Sequence, residues 1–578
     1  MKILTIHADF IEFQAKKRAL KSADDVDTDK KRVEECLVIF TAVEKRDEAN
    51  VPAIVERYVQ EIKNIAQQVN IKNVVLYPYA HLSSSLSNPK TAEEVLKEAE
   101  KVLTEKFKVV RAPFGWYKSF DISCKGHPLS ELSREFSVEG GADGKGEKGT
   151  TIVEKELSAE EVKSLLKQIS RSRLDTSKLK DNDHRIIGQN LDLWSFNEVA
   201  PGMVFWHDKG LLIKNLLIDY WREVHRRNNY QEISTSQILD KKLWLLSGHW
   251  AKFKENMFIT GYEQRDFAVK PMNCPGGMLV YKTSPKSYKD LPLRVGELGI
   301  VHRQELSGVL AGLFRVIQFT QDDAHIFCTE EQIEQEVGAI IDIITEMFST
   351  FNIVFDHIEL STRPEKRIGS DQVWDLAEQA LENVLKNRKI NYKVNEGDGA
   401  FYGPKIDFHL KDSLDRTWQC STIQLDMALP ERFDLEYIDN EGKSNRPIML
   451  HRVVYGAIER FIGIMTEHLN GKFPLWLSPV QVKVVTITDD NVEFAKEVFE
   501  KLKVEGLRVE LDARAESMGK KIREAQMQKI NYMVTIGDKE VEKKKLSVRT
   551  RNGETKFDVE IEEFISQLKE EIAKRELK

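Results

Sequence analysis

The sequence predicts an α+β multidomain protein, and three observations lead there. Its 578 residues exceed what one hydrophobic core usually organises, so several domains are expected. Strand-like and helix-like runs alternate regularly near both ends of the chain. Between them, over roughly 184–476, strands and helices mix without βαβ alternation, the pattern of an antiparallel sheet flanked by helices.

Taken in order, the first segment, 1–137, alternates strand-like runs (MKILTIHA, ECLVIFTAVE, NVVLYPYA, FKVVRAPFG) with helix-like ones (PAIVERYVQEIKNIAQQV, TAEEVLKEAEKVLTEKF). This reads as a small α/β domain. VEGGADGKGEKGTT has almost nothing to bury and reads as a linker within 138–183. SAEEVKSLLKQISRS opens on a Ser-x-x-Glu capping-box spacing and supplies a short connecting helix. In the middle region a helix is expected from about Leu211 to Arg226, with Leu212, Leu216, Tyr220 and Val224 inward. From 477 to 578 the alternation returns: VQVKVVTI, a helix to about Val504, LRVELD, the helix of MGKKIREAQMQK, YMVTIGD and KLSVRTR form a second compact α/β module.

Composition narrows the class. Apolar residues make up 41% and charged residues 31%, ordinary for a soluble globular chain. No apolar run approaches a membrane span, and MKILTIHADFIEF resembles neither a secretory nor a transit peptide. The five cysteines, Cys36, Cys124, Cys274, Cys328 and Cys420, are scattered without a CxxC pair, which argues against a disulfide framework and against a local zinc knuckle. A reducing cytoplasm is the expected compartment. The net charge of −7 gives no sign of a nucleic-acid partner, so any such partner needs a local basic patch.

The stretch 301–327, VHRQELSGVLAGLFRVIQFTQDDAHIF, carries the chemistry. LRVGELGIVHRQE and the run from Arg315 onward are both strand-like, and LSGVLAGL between them holds two glycines, so an antiparallel hairpin is expected. Period-two alternation gathers Arg315, Ile317, Phe319, Gln321, Asp323 and His325 on one face of the second strand, and Asp322 on the other. Arg303 and Glu305 share a face of the first strand. The expected result is a polar floor that binds something charged.

Four stretches then resemble one family together: FWHDKGLLIKNLLIDYWREVHRRNNYQEISTSQI, FAVKPMNCPGG, HRQE with TQDDAHIF, and HRVVYGAIERFIG. They are similar to class II threonyl-tRNA synthetases, the first, third and fourth sitting where motifs 1, 2 and 3 would be. GAFYGPKIDF and WQCSTIQLD extend the likeness over essentially all of 184–476, implying a class II synthetase antiparallel sheet core flanked by helices. In residues 1–137, YPYAHLSSSL, APFGWYKSF and CKGHPLSELSR resemble the archaeal threonyl-enzyme editing domain, which has the fold of D-aminoacyl-tRNA deacylases. The final module looks like the α/β anticodon-binding domain of the same class.

The resemblance implies a role for each of several residues. By it, Arg303 contacts the α-phosphate of ATP and the amino-acid carboxylate; Glu305 accepts from the adenine amino group; Arg460 stacks near the adenine and meets the γ-phosphate; Arg315 serves the triphosphate. Cys274, His325 and His451 match the family's metal ligands, one zinc per chain, while Mg2+ accompanies ATP. Nothing in the spacing of these three would have revealed a metal site. Threonine's amino and hydroxyl groups take the open coordination position, with Asp323, Gln321 and Tyr402 completing its pocket. Gln419 and Gln424 sit around ATP and the adenylate, with Lys405 beside them. His249, in LSGHWAKF, reaches the terminal ribose. A metal that demands a hydroxyl rejects valine by about ten thousandfold or more, whereas serine lacks only a methyl, worth roughly 1–3 kcal/mol, and gets through. Editing of seryl-tRNA is therefore expected in the N-terminal domain, where Lys118 and His81 line the pocket with Tyr117 and Glu131 nearby. No two histidines stand four residues apart, so the bacterial HxxxH editing type is absent.

The implied partners are tRNA(Thr), ATP and L-threonine, with no membrane. Lys520, Lys521 and Arg523 beside Gly519 read either as a solvated basic face or as contacts to anticodon phosphates. A homodimer is implied by the class, although Ser236 stands where motif 1 usually has proline. Two rivals stay open at this point: a deacylase that keeps only editing, and a catalytically silent synthetase-like RNA-binding protein.

Overall fold

The computed structural model describes residues 1–20, 23–83, 85–127, 129–136, 159–169, 179–263, 265–412 and 415–577. It divides into two compact units, Met1–Lys155 and Glu156–Lys578. The glycine-rich stretch 138–151 and Ser158, the first residue of the expected capping box, lie outside the described residues. Among those described, no helix is long and apolar enough to cross a membrane.

The first unit contains β1 (Lys2–Arg18), β2 (Lys31–Ala42), α1 (Val51–Gln68), β3 (Asn73–Pro78), α2 (Pro89–Thr104), β4 (Lys108–Arg111), β5 (Trp116–Cys124) and β6 (Glu131–Glu135). The sheet order is β4-β3-β2-β1-β5, with β6 also on β1. β2, β3 and β4 run parallel and are joined through the two helices, while β1 pairs antiparallel with β2, β5 and β6. Continuous apolar runs such as Leu37–Phe40 and Val74–Leu76 suit the covered parallel strands. Asn50 caps α1 by accepting from Ala53 N, and the helix buries Ile54, Tyr58, Ile62 and Ile65 against the sheet. The first strand extends ten residues past the expected MKILTIHA because its in-and-out alternation persists to Ala15. β5 and β6, none of whose side chains is fully buried, were not expected from the apolar pattern.

The second unit begins with α3 (Ala159–Ile169), α4 (His184–Asn190), the short pair β7 (Trp194–Ser195) and β8 (Phe205–Trp206), and α5 (Asp208–Arg227). α5 buries Ile213, Leu217, Tyr220, Trp221 and Val224, so the apolar stripe is turned from the expected one; Leu212 and Leu216 lie at its border, less deeply buried. β9 (Gln231–Glu232) comes next. β10 (Ile238–Asp240), α6 (Lys241–Ser247), α7 (His249–Lys252), β11 (Ile259–Tyr262) and β12 (Arg265–Val269) build a small three-stranded sheet that leads into α8 (Cys274–Tyr281).

The rest of the central region is β13 (Leu293–His302), β14 (Gln318–Cys328), α9 (Ile333–Ser349), β15 (His357–Ser361), α10 (Asp371–Asn387), β16 (Lys393–Asn395), β17 (Lys405–Lys411), β18 (Thr417–Asp426), α11 (Ala428–Arg432), the hairpin β19 (Tyr437–Ile438) and β20 (Ser444–Asn445), β21 (Ile448–Ala457) and α12 (Ile458–His468). Apart from that hairpin, these strands join β9 in an eight-stranded sheet ordered β16-β15-β17-β18-β21-β14-β13-β9, antiparallel except where β9 meets β13 and β16 meets β15. α5, α9, α10 and α12 contribute to the main apolar core on one side of it. The predicted hairpin is β13–β14, but its strands end at His302 and restart at Gln318, so Arg303, Glu305 and Arg315 stand on the connection. The glycine-containing run LSGVLAGL releases the ladder earlier than the apolar pattern suggests.

The last module is β22 (Val482–Thr486), α13 (Val492–Val504), β23 (Val509–Asp512), α14 (Met518–Met527), β24 (Tyr532–Ile536), α15 (Asp538–Lys543), β25 (Leu546–Thr550), β26 (Thr555–Val559) and α16 (Ile561–Ala573). Its sheet order is β23-β22-β24-β25-β26, parallel in the first three strands and antiparallel beyond.

Candidate active site

The face of the eight-stranded sheet opposite its main core holds a cavity of about 540 Å3. β14 supplies Phe319, Gln321 and Asp323 to it, at period two as expected. β18 contributes Gln419, Thr422 and Gln424, β21 contributes His451, and α12 contributes Arg460. Arg303, Glu305 and Arg315 line it from the hairpin connection, and Tyr402 and Lys405 from the start of β17.

Each polar group is held by its surroundings. Arg303 donates from Nε to Pro271 O at 3.1 Å, and its guanidinium lies over the rings of Phe319 and Phe253. Arg460 donates to Phe314 O and Gln419 O, each at 2.9 Å, over Trp418. Two half-buried guanidiniums fixed in plane on a concave surface suit a polyanion. Glu305 is engaged by Arg315 Nη2 at 2.9 Å. Lys405 donates to Asp407 at 2.6 Å and Asp398 at 3.0 Å; burial lowers its pKa, but these carboxylates outweigh burial and hold it above its usual value. Tyr402 donates its hydroxyl to Gln424 Oε1 at 2.7 Å.

Behind the cavity, Cys274 from the first turn of α8, His325 from β14 and His451 from β21 bring one donor atom each within 4.8 Å of one another. Cross-strand register puts His325 opposite His451. The set fits a thiolate- and imidazole-preferring cation on two further counts. His325 Nε2 is buried without a hydrogen-bond partner, and His451 Nε2 lies 2.9 Å from Asp426, which orients the ring and leaves Nδ1 for a ligand. Asp426 is itself fixed, accepting from Ala428 N and Leu429 N. Asp323 stands 3.9 Å from His325 Nε2 and accepts from Asn273. Asn273 lies across Gly299, where a Cβ would sit 2.1 Å from its Oδ1. Sequence reasoning missed Asn273, Asp407 and Asp426; for Asp426 the available signal was a carboxylate ending a strand two residues beyond Gln424, the cross-strand partner of His451.

His249 is not brought to the cavity. It is fully buried, hydrogen-bonded to Ser247 Oγ at 2.8 Å and set against Met272 Sδ. Burial pushes its pKa down to about 3, so the ring is neutral at physiological pH.

The first unit has its own cavity of about 460 Å3, lined by Lys118, Tyr117, His81, Tyr77, Tyr79 and Phe120 among others. Lys118 donates to Pro113 O at 2.8 Å and Trp116 O at 3.1 Å, and burial lowers its pKa to about 8. Glu131 does not line this cavity. Lys118 pairs with Ala15 of β1 and Glu131 with Ile6, which separates them by roughly 30 Å along the strand, and Glu131 lies beside Cys124 instead.

In the last module the expected basic cluster splits. Lys520 and Arg523 are exposed, Lys520 paired with Glu516, but Lys521 is buried with its ammonium on Thr486 O and Asp512 O.

Three family models match the chain: the archaea-specific editing domain of threonyl-tRNA synthetase over residues 1–136, the class II tRNA synthetase core domain (G, H, P, S and T) over 257–469, and the anticodon binding domain over 481–571. A threonine–tRNA ligase of Caldanaerobacter subterraneus subsp. tengcongensis is 54% identical over 398 residues, 69% of this chain and 62% of that protein. One from Carboxydothermus hydrogenoformans is 55% identical over 395 residues, 68% of this chain. The chain thus spans 62% of the length of these relatives. The solved RNA-binding domain of threonyl-tRNA synthetase from Cryptosporidium parvum Iowa II is 42% identical with a TM-score of 0.65, covering 67% of this chain and 98% of that one.

Proposed function

Since the chain belongs to the threonyl-tRNA synthetase family, we propose that it is a threonine–tRNA ligase that joins L-threonine to tRNA(Thr) and hydrolyses mischarged seryl-tRNA in its N-terminal domain. The observation that carries this reading is the convergence of Cys274, His325 and His451 beneath the cavity that holds Arg303 and Arg460.

The first step is attack of the threonine carboxylate on the α-phosphorus of ATP, with diphosphate leaving. Charge grows on the phosphoryl oxygens, and Arg303 and Arg460, partly desolvated and held in plane, need little reorganisation to meet it. Arg315 would neutralise the leaving diphosphate, exchanging Glu305 for it and freeing that carboxylate to accept from the adenine amino group. Gln419, Gln424 and Lys405 border the nucleotide, and Mg2+ accompanies it. Gln321, Asp323 and Tyr402 bind the amino acid. Cys274, His325 and His451 would hold a zinc ion, which when bound would supply Lewis acidity toward the amino and hydroxyl groups of threonine and so would discriminate against valine. In the second step a terminal ribose hydroxyl of tRNA attacks the adenylate carbonyl and AMP leaves.

Serine satisfies the hydroxyl requirement, which gives the first unit its task. There Lys118 would place a cation beside the ester, with His81 and Tyr117 at the same cavity. We assign 1–137 to editing, 184–476 to aminoacylation and 477–578 to the anticodon, and expect a homodimer; Ser236, exposed between β9 and β10, replaces the usual motif 1 proline. Threonine-dependent exchange of radiolabelled diphosphate into ATP is the test. Exchange with threonine and none with valine is expected; no exchange with zinc and ATP supplied would leave a deacylase or a silent RNA-binding protein in its place.

A further inference from the structure

Asp407 on β17 is 1% exposed and does not line the synthetic cavity, yet it touches three side chains that do. Its Oδ1 accepts from Gln419 Nε2 at 2.5 Å and from the Thr422 hydroxyl at 2.9 Å. Its Oδ2 accepts from Lys405 Nζ at 2.6 Å and from the Ser361 hydroxyl at 3.0 Å. A carboxylate offers about four lone-pair sites, so this one is filled. Lys405, Gln419 and Thr422 border the cavity, while Ser361 is fully buried on β15.

Sheet register explains how two residues three apart reach one carboxylate. Regular alternation would send Gln419 and Thr422 to opposite faces of β18. Asp407 is paired with Thr422, Phe408 with Ser421 and His409 with Gln419, so the register shifts and Cys420 is left over as an extra residue. This bulge returns Gln419 to the face that carries Asp407 and Thr422.

Asp407 also sets the polarity of the Gln419 amide. An ionised carboxylate only accepts, so the amide nitrogen is the atom that must face it. The second N–H of that nitrogen goes to Thr422 Oγ1 at 2.9 Å, and the Thr422 hydroxyl gives its own proton to Asp407. With both N–H groups engaged inward, Oε1 is the atom left for the cavity. We propose that Asp407 is a positioning residue of the nucleotide site: it makes Gln419 an acceptor toward the ligand and fixes the Lys405 ammonium at the same wall, so that ATP meets a preset acceptor and a preset cation. This role rests on the ligase reading, which makes the cavity an ATP site.

Calorimetric titration of ATP with Mg2+ into the full-length protein is the test. Asp407→Asn keeps the side-chain shape but frees the Gln419 amide to turn, and should raise the Kd for ATP about tenfold or more. Gln419→Glu sets two carboxylates against each other and should weaken binding as well. The double variant restores a donor–acceptor contact with its polarity exchanged and should bind ATP more tightly than either single variant. In threonine-dependent diphosphate exchange, the loss in Asp407→Asn should fall on the KM for ATP, with the KM for threonine within about twofold of the parent. An unchanged Kd in Asp407→Asn, a double variant no tighter than the singles, or a fall in kcat with both KM values kept overturns the positioning role. A parent that exchanges diphosphate while Asp407→Asn binds ATP normally keeps the ligase and loses this role. A parent that binds ATP, is weakened by Asp407→Asn and never exchanges keeps the role and overturns the ligase; a parent that binds no ATP overturns both.

Discussion

Lys118 shows how burial can tune a single side chain. Its amine donates to two backbone carbonyls, and burial brings its pKa from 10.5 to about 8. Lys118 is the one lysine or arginine among the described residues lining that cavity. If that cation stabilises the charge developing on the ester, deacylation of seryl-tRNA must fall as pH rises through about 8. Initial rates between pH 6.5 and 9.5 check this, and a rate that climbs over that interval would assign Lys118 to a base instead. Lys118→Met should lower the rate about 100-fold or more and abolish the pH dependence. The linkage runs the other way for stability: the unfolded chain holds this proton more tightly, so Lys118 costs stability below about pH 8 and the cost fades as pH climbs toward 10.5.

At the scale of elements, adjacent aspartates on β14 divide the labour of the strand. Asp323 faces the cavity, while Asp322 is fully buried on the other face and accepts from the N–H groups of Val454, Tyr455 and Gly456 at 2.9–3.0 Å. Those bonds fix the end of β21, where Gly456 takes φ +78° with a Cβ position 2.6 Å from Cys420 O, and from there α12 carries Arg460 into the cavity. Asp322→Ala strands three buried donors and should lower stability by about 3 kcal/mol or more, read from denaturant unfolding. Asp323→Asn should leave stability nearly unchanged and impair threonine activation; equal destabilisation by the two would contradict the division. This separation was legible in the sequence, since alternation alone assigns the two aspartates to opposite faces. The strand ends were not, because Arg303 and Arg315 look like strand residues and only the glycine-containing connection between them sets where pairing stops. The turned stripe of α5 has a similar cause: leucine at 212 and 216 carries the same apolar signal as the more deeply buried Ile213 and Leu217.

Over the whole molecule, long-range convergence separates what sequence pattern reaches from what it does not. Cys274, His325 and His451 come from a helix and two strands far apart in the chain, and they meet only because β14 and β21 are neighbours in the sheet with α8 packed across them. Family likeness supplied these three; it also supplied Glu131 and His249, which the structure places elsewhere. The two cavities lie in separate compact units, each with its own core, so their chemistries should fail independently. Cys274→Ala should abolish threonine-dependent diphosphate exchange while deacylation of seryl-tRNA stays within about twofold of the parent, since the two sites belong to separate compact units and share no partners among the described residues. Lys118→Met should do the reverse, sparing exchange and releasing seryl-tRNA unhydrolysed. A Cys274→Ala protein that lost both activities while keeping its secondary structure by circular dichroism would mean that editing depends on an intact synthetic site, and the two-unit account of the chain would have to give way to one with energetic coupling between them.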